Sequence, residues 1–252
     1  MTEGATVSIE ELKGTRYSRI LTYPSSDDAE AEARISELTG MGTTALCFGG
    51  HTLIDGLPVL GKGCVGIVTK ARIGGELVAL KIRRLDANRP SMQEEARLLR
   101  VANAVNVGPR LTTATKNFIA MELFRGIPLF RWAEGSPGRK KLLKHVLSNL
   151  ISACFRLDSI GLDHGELSHA PKNVLVDGAG EACIVDFESA SMVRRVANVT
   201  SLLQYFLFGS ISKTLHSSMI FPSKKAVVKA LSTYKQESSI ESYQQLLQAL
   251  KL

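Results

Sequence analysis

His164-Gly165-Glu166-Leu167-Ser168-His169-Ala170-Pro171-Lys172-Asn173-Val174-Leu175-Val176, followed by Ile184-Val185-Asp186-Phe187-Glu188, is the stretch on which the reading of the fold turns. It places an imidazole, carboxylates and an amide beside short apolar runs. Side chains of these kinds move protons and hold hard cations. The stretch gains weight from what precedes it in the chain: a glycine loop at 61–66, a lysine closing an apolar run at Lys81 and a glutamate within a helical pattern at Glu95. Four such parts in one order are harder to obtain by chance than any one of them.

Gly61-Lys62-Gly63-Cys64-Val65-Gly66-Ile67-Val68 has the spacing G-x-G-x-x-G-x-V. Glycines let a backbone approach phosphate oxygens and take positive φ without a Cβ clash. Alone, the pattern is equally that of a glycine-rich hairpin. Leu57, Val59 and Leu60 precede it and Ile67, Val68 and Ala71 follow, which makes it strand-loop-strand and not the strand-to-helix turn of a dinucleotide-binding unit. Val78-Ala79-Leu80-Lys81 reads as a strand whose lysine, by itself, is as well explained by a solvated strand end.

Pro90 and Ser91 open a helical pattern running to Asn103. Of the two acids there, Glu95 is preferred to Glu94 as the partner of Lys81, because Leu98, Leu99 and Ala102 follow it at three, four and seven residues and mark its face as buried. Phe118 to Gly126 reads as a buried strand with a glycine stop. Residues 139–161, closed by Gly161, read as one long helix.

Taken in order, these motifs resemble those of protein kinases. Gly165, where most kinases have arginine, is similar to RIO-type and antibiotic-phosphotransferase-like kinases. The strings H-G-E-L-S-x-x-P-K-N and Asp186-Phe187-Glu188-Ser189-Ala190-Ser191 are most similar to a group of small archaeal serine/threonine protein kinases. The resemblance covers roughly residues 55–208. It implies an α+β, two-lobed kinase-like fold with a truncated C-lobe: residues 1–54 as an N-terminal extension, 55–124 as the N-lobe and 125–252 as a compact C-lobe with basic terminal helices. No A-P-E motif occurs, and about sixty residues follow Ser191.

The implied activity is that of an atypical serine/threonine kinase using ATP and Mg2+, with Mn2+ as an alternative, to phosphorylate an unknown protein or itself. In this reading Gly61, Gly63, Gly66, Val68 and Ala79 surround the nucleotide, Lys81 contacts its α/β-phosphates and Glu95 orients Lys81. Met121 guards the back pocket, while the Glu122 carbonyl and Phe124 amide meet adenine. Asn173 and Asp186 hold the metal, and Glu166 is the base. Asn173 stands seven residues past Glu166 where kinases have five, and Glu188 replaces the glycine of the D-F-G pattern. The alternative is a pseudokinase, a nucleotide-binding interaction module. Small-molecule phosphotransfer is disfavoured by the short C-lobe.

Composition is that of an ordinary globular chain: 44% hydrophobic and 22% charged residues over 252 positions, enough for two lobes. Cys47, Cys64, Cys154 and Cys183 lack metal or disulfide spacing and read as reduced interior residues. No signal peptide opens the sequence, and Val196 to Ser212, its longest uncharged run, is interrupted by polar residues, so a cytoplasmic protein with no membrane span is expected. Charge is unevenly spread. Residues 1–57 hold 4 Lys/Arg against 9 Asp/Glu, whereas residues 189–252 hold 8 against 2. The basic end, with Arg194, Arg195, Lys213, Lys224, Lys225, Lys229 and Lys235, reads either as a solvated face or as a surface for RNA or an acidic partner.

Overall fold

A computed structural model describes residues 3–135, 140–213 and 224–252 of the chain. They form a mixed α+β structure in two compact units, residues 1–100 with 110–123 and residues 101–109 with 124–252.

The first unit is built on a seven-stranded antiparallel sheet. Its strands are β1 (Glu3–Ser8), β2 (Thr43–Gly49), β5 (Gly61–Lys62), β6 (Gly66–Ile73), β7 (Glu76–Arg83), β8 (Leu111–Ala114) and β9 (Phe118–Glu122), ordered β1-β2-β6-β7-β9-β8 with β5 beside β6. A small hairpin of β3 (Thr52–Ile54) and β4 (Leu57–Val59) accompanies it. Gly74 and Gly75, at φ +57° and +86°, make the two-residue turn joining β6 to β7. Positive φ at both turn positions matches the strand twist, and this sets the register that faces Lys81 with Val68. β7 lies between β6 and β9, and Val78 through Ile82 are buried without the alternation of a one-sided strand.

The residues before the glycine loop belong to the same unit. β1 and β2 extend the sheet, and Leu12, Ile20, Leu21, Leu38, Leu46 and Phe48 share a core with Ile67, Leu80 and Phe118. Helix α1 spans Arg19–Thr22 and α2 spans Asp28–Gly40. Asp27 caps α2 by accepting from the Glu30 amide at 2.9 Å, and Asp28 and Glu30 sit in its first turn where the helix dipole favours acids. Gly40 is still helical, and Gly42, at φ +74°, takes the left-handed conformation just past the end of α2.

Arg34, on α2, is wholly buried. Its guanidinium donates to the carbonyls of Leu21 at 2.6 Å and Arg83 at 2.5 Å, to Asn117 Oδ1 at 3.2 Å and to Glu30 at 2.7 Å. Glu37, one turn on, accepts from the Asn117 amide and side chain at 2.9 and 2.7 Å. These bonds pin α2 to the ends of β7 and β9.

Helix α3 (Gln93–Asn103) begins after Ser91, whose hydroxyl accepts from the Gln93 amide at 3.1 Å. In the second unit α4 (Leu129–Glu134) precedes α5 (Lys140–Ser159). The buried residues Leu143, Val146, Leu147, Leu150, Ile151, Cys154 and Leu157 recur at helical spacing along one face of α5. Gly161, at φ +74°, ends the segment, while Arg139 of the expected helix lies outside the described residues. A three-stranded sheet follows, β10 (Ile127–Pro128), β11 (Val174–Val176) and β12 (Ala182–Ile184), with the short helix α6 (Ala170–Asn173) leading into β11.

Helix α7 (Asn198–Phe208) is apolar and buried at Val199, Leu202, Leu203, Phe206 and Leu207. Two further helices, α8 (Lys224–Glu237) and α9 (Ile240–Leu250), pack on each other, and Phe155 of α5 stacks on Tyr243 of α9 with ring centres 4.0 Å apart. Asp158 of α5 joins this layer to α7, accepting from the amides of Asn198 and Val199 at 3.0 and 3.3 Å and from the Tyr234 hydroxyl at 2.9 Å. No described helix is long and apolar enough to cross a membrane. Cys47, Cys154 and Cys183 are buried. Cys64 is the exception to the interior reading and is exposed, because it lies in the turn between β5 and β6.

Candidate active site

On the first unit the glycine pattern is a hairpin. Gly61 and Lys62 pair with Val68 and Ile67, and the Gly63 amide donates to the Gly66 carbonyl at 2.8 Å. Neither Gly61 nor Gly66 takes a positive φ, contrary to expectation. The need for glycine at 66 is one of space. A Cβ there would stand 3.0 Å from both Cγ and Cε of Lys81 and 3.1 Å from the Ile82 carbonyl. Arg84 braces the turn, donating to the Gly63 carbonyl at 2.8 Å and, through its amide, to the Val65 carbonyl at 2.9 Å. Tyr23 lies under Lys62 and Arg84, whose charges sit 4.6 and 5.3 Å from its ring centre.

Lys81, central in β7, sends Nζ to both carboxylate oxygens of Glu95 at 2.8 and 3.0 Å. Both side chains are buried, with exposures of 4% and 6%. The neighbouring Glu94 turns outward and pairs with Arg97 on the helix surface. Ala79 faces Lys70 on one side and Met121 on the other. Glu122 ends β9, its amide donating to the Arg110 carbonyl at 2.8 Å.

The second unit holds Phe124, Glu166, Asn173 and Asp186. Residues Leu167–His169 form a 3-10 turn and run directly into α6, so the two extra residues of this loop are taken up as helix. A separation of seven is close to two helical turns. It brings Asn173 back to Glu166, where Nδ2 donates to Oε2 at 3.1 Å. The other carboxylate oxygen accepts from the Ser189 hydroxyl at 2.5 Å. The Ser189 bond, followed by that from Asn173, holds the Glu166 carboxyl below the ordinary range, so it is ionised at neutral pH.

His164 is fully buried, and burial holds its imidazole neutral. Its Nε2 meets the Val185 carbonyl at 3.1 Å, its ring packs edge-on against Phe187, and its amide donates to Asn198 Oδ1 at 2.8 Å. This histidine thus ties together the segments carrying Glu166 and Asp186. Asp186 has φ +68°, a conformation costing a non-glycine residue about 1–3 kcal/mol. Gly165, at φ +88°, leaves room for Arg194, since a Cβ would lie 2.3 Å from the guanidinium. Arg194 bonds Asp163 and, at 2.8 Å, the Ser189 carbonyl, while Asp163 pairs through its backbone with Ser191. The segment after Asp186 is therefore tied down by a cation of its own.

Over 149 residues the chain is 32% identical to CBL-interacting serine/threonine-protein kinase 5 of Arabidopsis thaliana. The match takes in 55% of this chain and 33% of that protein, so the chain spans about one third of the relative's length. The chain is distantly related to a serine/threonine kinase. No family model matches it.

Ser189, Asn198, Arg194 and Arg34 are the residues around these sites that sequence reasoning missed. The partners that place them lie 13 to 83 positions away, apart from Glu30, the Ser189 carbonyl and the Ser191 hydroxyl, and no periodicity links a serine to a carboxylate 23 residues before it.

Proposed function

We propose that the chain is an atypical serine/threonine kinase that transfers the γ-phosphate of ATP, with Mg2+ or Mn2+, to a hydroxyl of a protein or of itself. The Lys81–Glu95 pair carries this reading. Taking two charges out of water costs several kcal/mol each, and here they meet in the bidentate geometry that lets a lysine bind phosphate while a glutamate aims it. The kinase relative supports the reading, as does the glycine hairpin lying against the same lysine. Residues 55–124 are assigned as the N-lobe and 125–252 as the C-lobe, with residues 1–54 as an extension of the first. Val68, Ala79, Met121, Glu122 and Phe124 are assigned to the adenine end.

The donor chemistry in the second unit fits a hard cation. Asp186 offers a carboxylate, and Asn173, with its amide nitrogen committed to Glu166, has an amide oxygen to offer. When bound, the metal neutralises charge on the phosphates. Glu166, ionised, would accept the proton of the acceptor hydroxyl.

A pseudokinase is the competing reading, and one observation favours it: both oxygens of Glu166 already accept from the chain's own side chains. Incubation with γ-labelled ATP and Mg2+ or Mn2+ separates the two. Transfer should occur, and Lys81→Met should abolish it. Glu166→Gln should lower transfer by ~100-fold or more while sparing nucleotide affinity, whereas Asp186→Asn should lower both. Nucleotide binding by the parent without transfer above the Asp186→Asn background would establish the pseudokinase.

A further inference from the structure

We propose that Ser189 is itself a phosphoacceptor, modified within the same chain by the activity proposed above, on which this inference rests. A general base must stand within about 2.6–3.2 Å of the group whose proton it takes, or reach it through one water. The hydroxyl that the structure sets against Glu166 is that of Ser189, at 2.5 Å. It lies three residues after Asp186 and is half-buried, so it is held in place and still open to a reagent. Asn173 fixes the other carboxylate oxygen, so the carboxylate cannot swing away without losing that bond.

Placement of the serine is over-determined. Arg194 holds its carbonyl, and Arg194 is in turn held by Asp163, whose backbone pairs with Ser191. In the step, Ser189 Oγ attacks the γ-phosphorus of ATP. The bond from that phosphorus to the β–γ bridging oxygen breaks, and its electron pair leaves with ADP. The Ser189 proton passes to Glu166 and from there to water. A phosphate on Ser189 would place new negative charge beside Glu166, with the Arg194 guanidinium within reach to meet it.

The test uses the full chain, treated with phosphatase and freed of it, then incubated with γ-labelled ATP and Mg2+ and mapped by mass spectrometry. Label is expected on Ser189, with a rate constant independent of protein concentration. Ser189→Ala should lose that label, Ser189→Thr should recover it as phosphothreonine, and equal thermal unfolding of the variants would show that the fold is kept. Glu166→Gln should slow Ser189 labelling on the order of a hundredfold. Lys81-dependent label appearing on another residue or an added substrate, with Ser189 unlabelled, would overturn this inference and leave the kinase reading standing. So would faster transfer to an added substrate by Ser189→Ala with no label on Ser189 in the parent, which would make the hydroxyl a plug. Absence of Lys81-dependent transfer to any hydroxyl would overturn both.

Discussion

At the residue, the chemistry is decided by which charges are kept from water and what they meet there. Lys81 and Glu95 are exposed by only 4% and 6%, and each is a counterion to the other. Removing one should cost about 3–5 kcal/mol, because the remaining charge stays buried without that partner. Removing both in favour of apolar side chains of similar size should cost less. We therefore expect Lys81→Met/Glu95→Leu to be more stable toward urea than either single variant, although none transfers phosphate. Strictly additive losses across the three variants would contradict the coupling. The choice of Glu95 over Glu94 was legible in the sequence, because apolar residues at helical spacing mark a face. That the glycines of this loop permit close approach was legible, but what approaches Gly66 was not, since the side chain that crowds it arrives from the paired strand.

Elements are held to one another by buried polar residues as much as by apolar packing. Arg34 satisfies two backbone carbonyls and Asn117 from the centre of α2, and Arg34→Met would take that donor from the Leu21 and Arg83 carbonyls, while Asn117 Oδ1 would keep its bond from Arg83 Nε at 2.9 Å. At about 1–3 kcal/mol for each unsatisfied group, a loss of ~3 kcal/mol or more is expected in denaturant unfolding. An exposed control on the same helix, Glu32→Gln, should change little.

His164 makes a second link of this kind, and its neutrality has a pH consequence. Burial holds its folded-state pKa below the unfolded value of about 6.5, so the unfolded chain binds more protons there as the medium acidifies. Its contribution is complete above that value and is lost as pH falls below it. The stability difference between the parent and His164→Gln should therefore be larger at pH 7.5 than at pH 5.5. A difference constant across that range would mean that the ring is not held neutral by the fold.

Over the whole molecule, the uneven charge seen in the sequence becomes a surface on α8. Lys224, Lys225 and Lys229 are exposed, with Lys224 lying 4.0 Å over the Phe208 ring, while Val227 and Tyr234 face inward. The sequence leaves two readings of this face, a solvated one and a surface for an anionic partner, RNA or an acidic protein segment, and salt dependence separates them. Reversing the three lysines to glutamate should weaken binding to such a partner and flatten its dependence on salt, because fewer counterions are released per complex. Unchanged affinity across a salt series, or no binding by the parent, would leave a solvated face and nothing more.

What could be read along the chain was whatever repeats locally or is spelled within one short motif. The long helix α5 announced itself by apolar spacing, and the pairing of Lys81 with a helix glutamate by a face pattern within one helix of eleven residues, whereas the turn at Gly74 and Gly75 that sets the register of β6 and β7 went unread. Hydrogen bonds between distant residues carry no such period. That Asn173 returns to Glu166 depends on residues 167–173 coiling, and that Ser189 meets the same carboxylate depends on Asp163 and Arg194 folding the following segment back. A side chain's partner is chosen by whichever groups remain unsatisfied when the backbone has closed, and only the closed backbone brings those groups within 3 Å of one another.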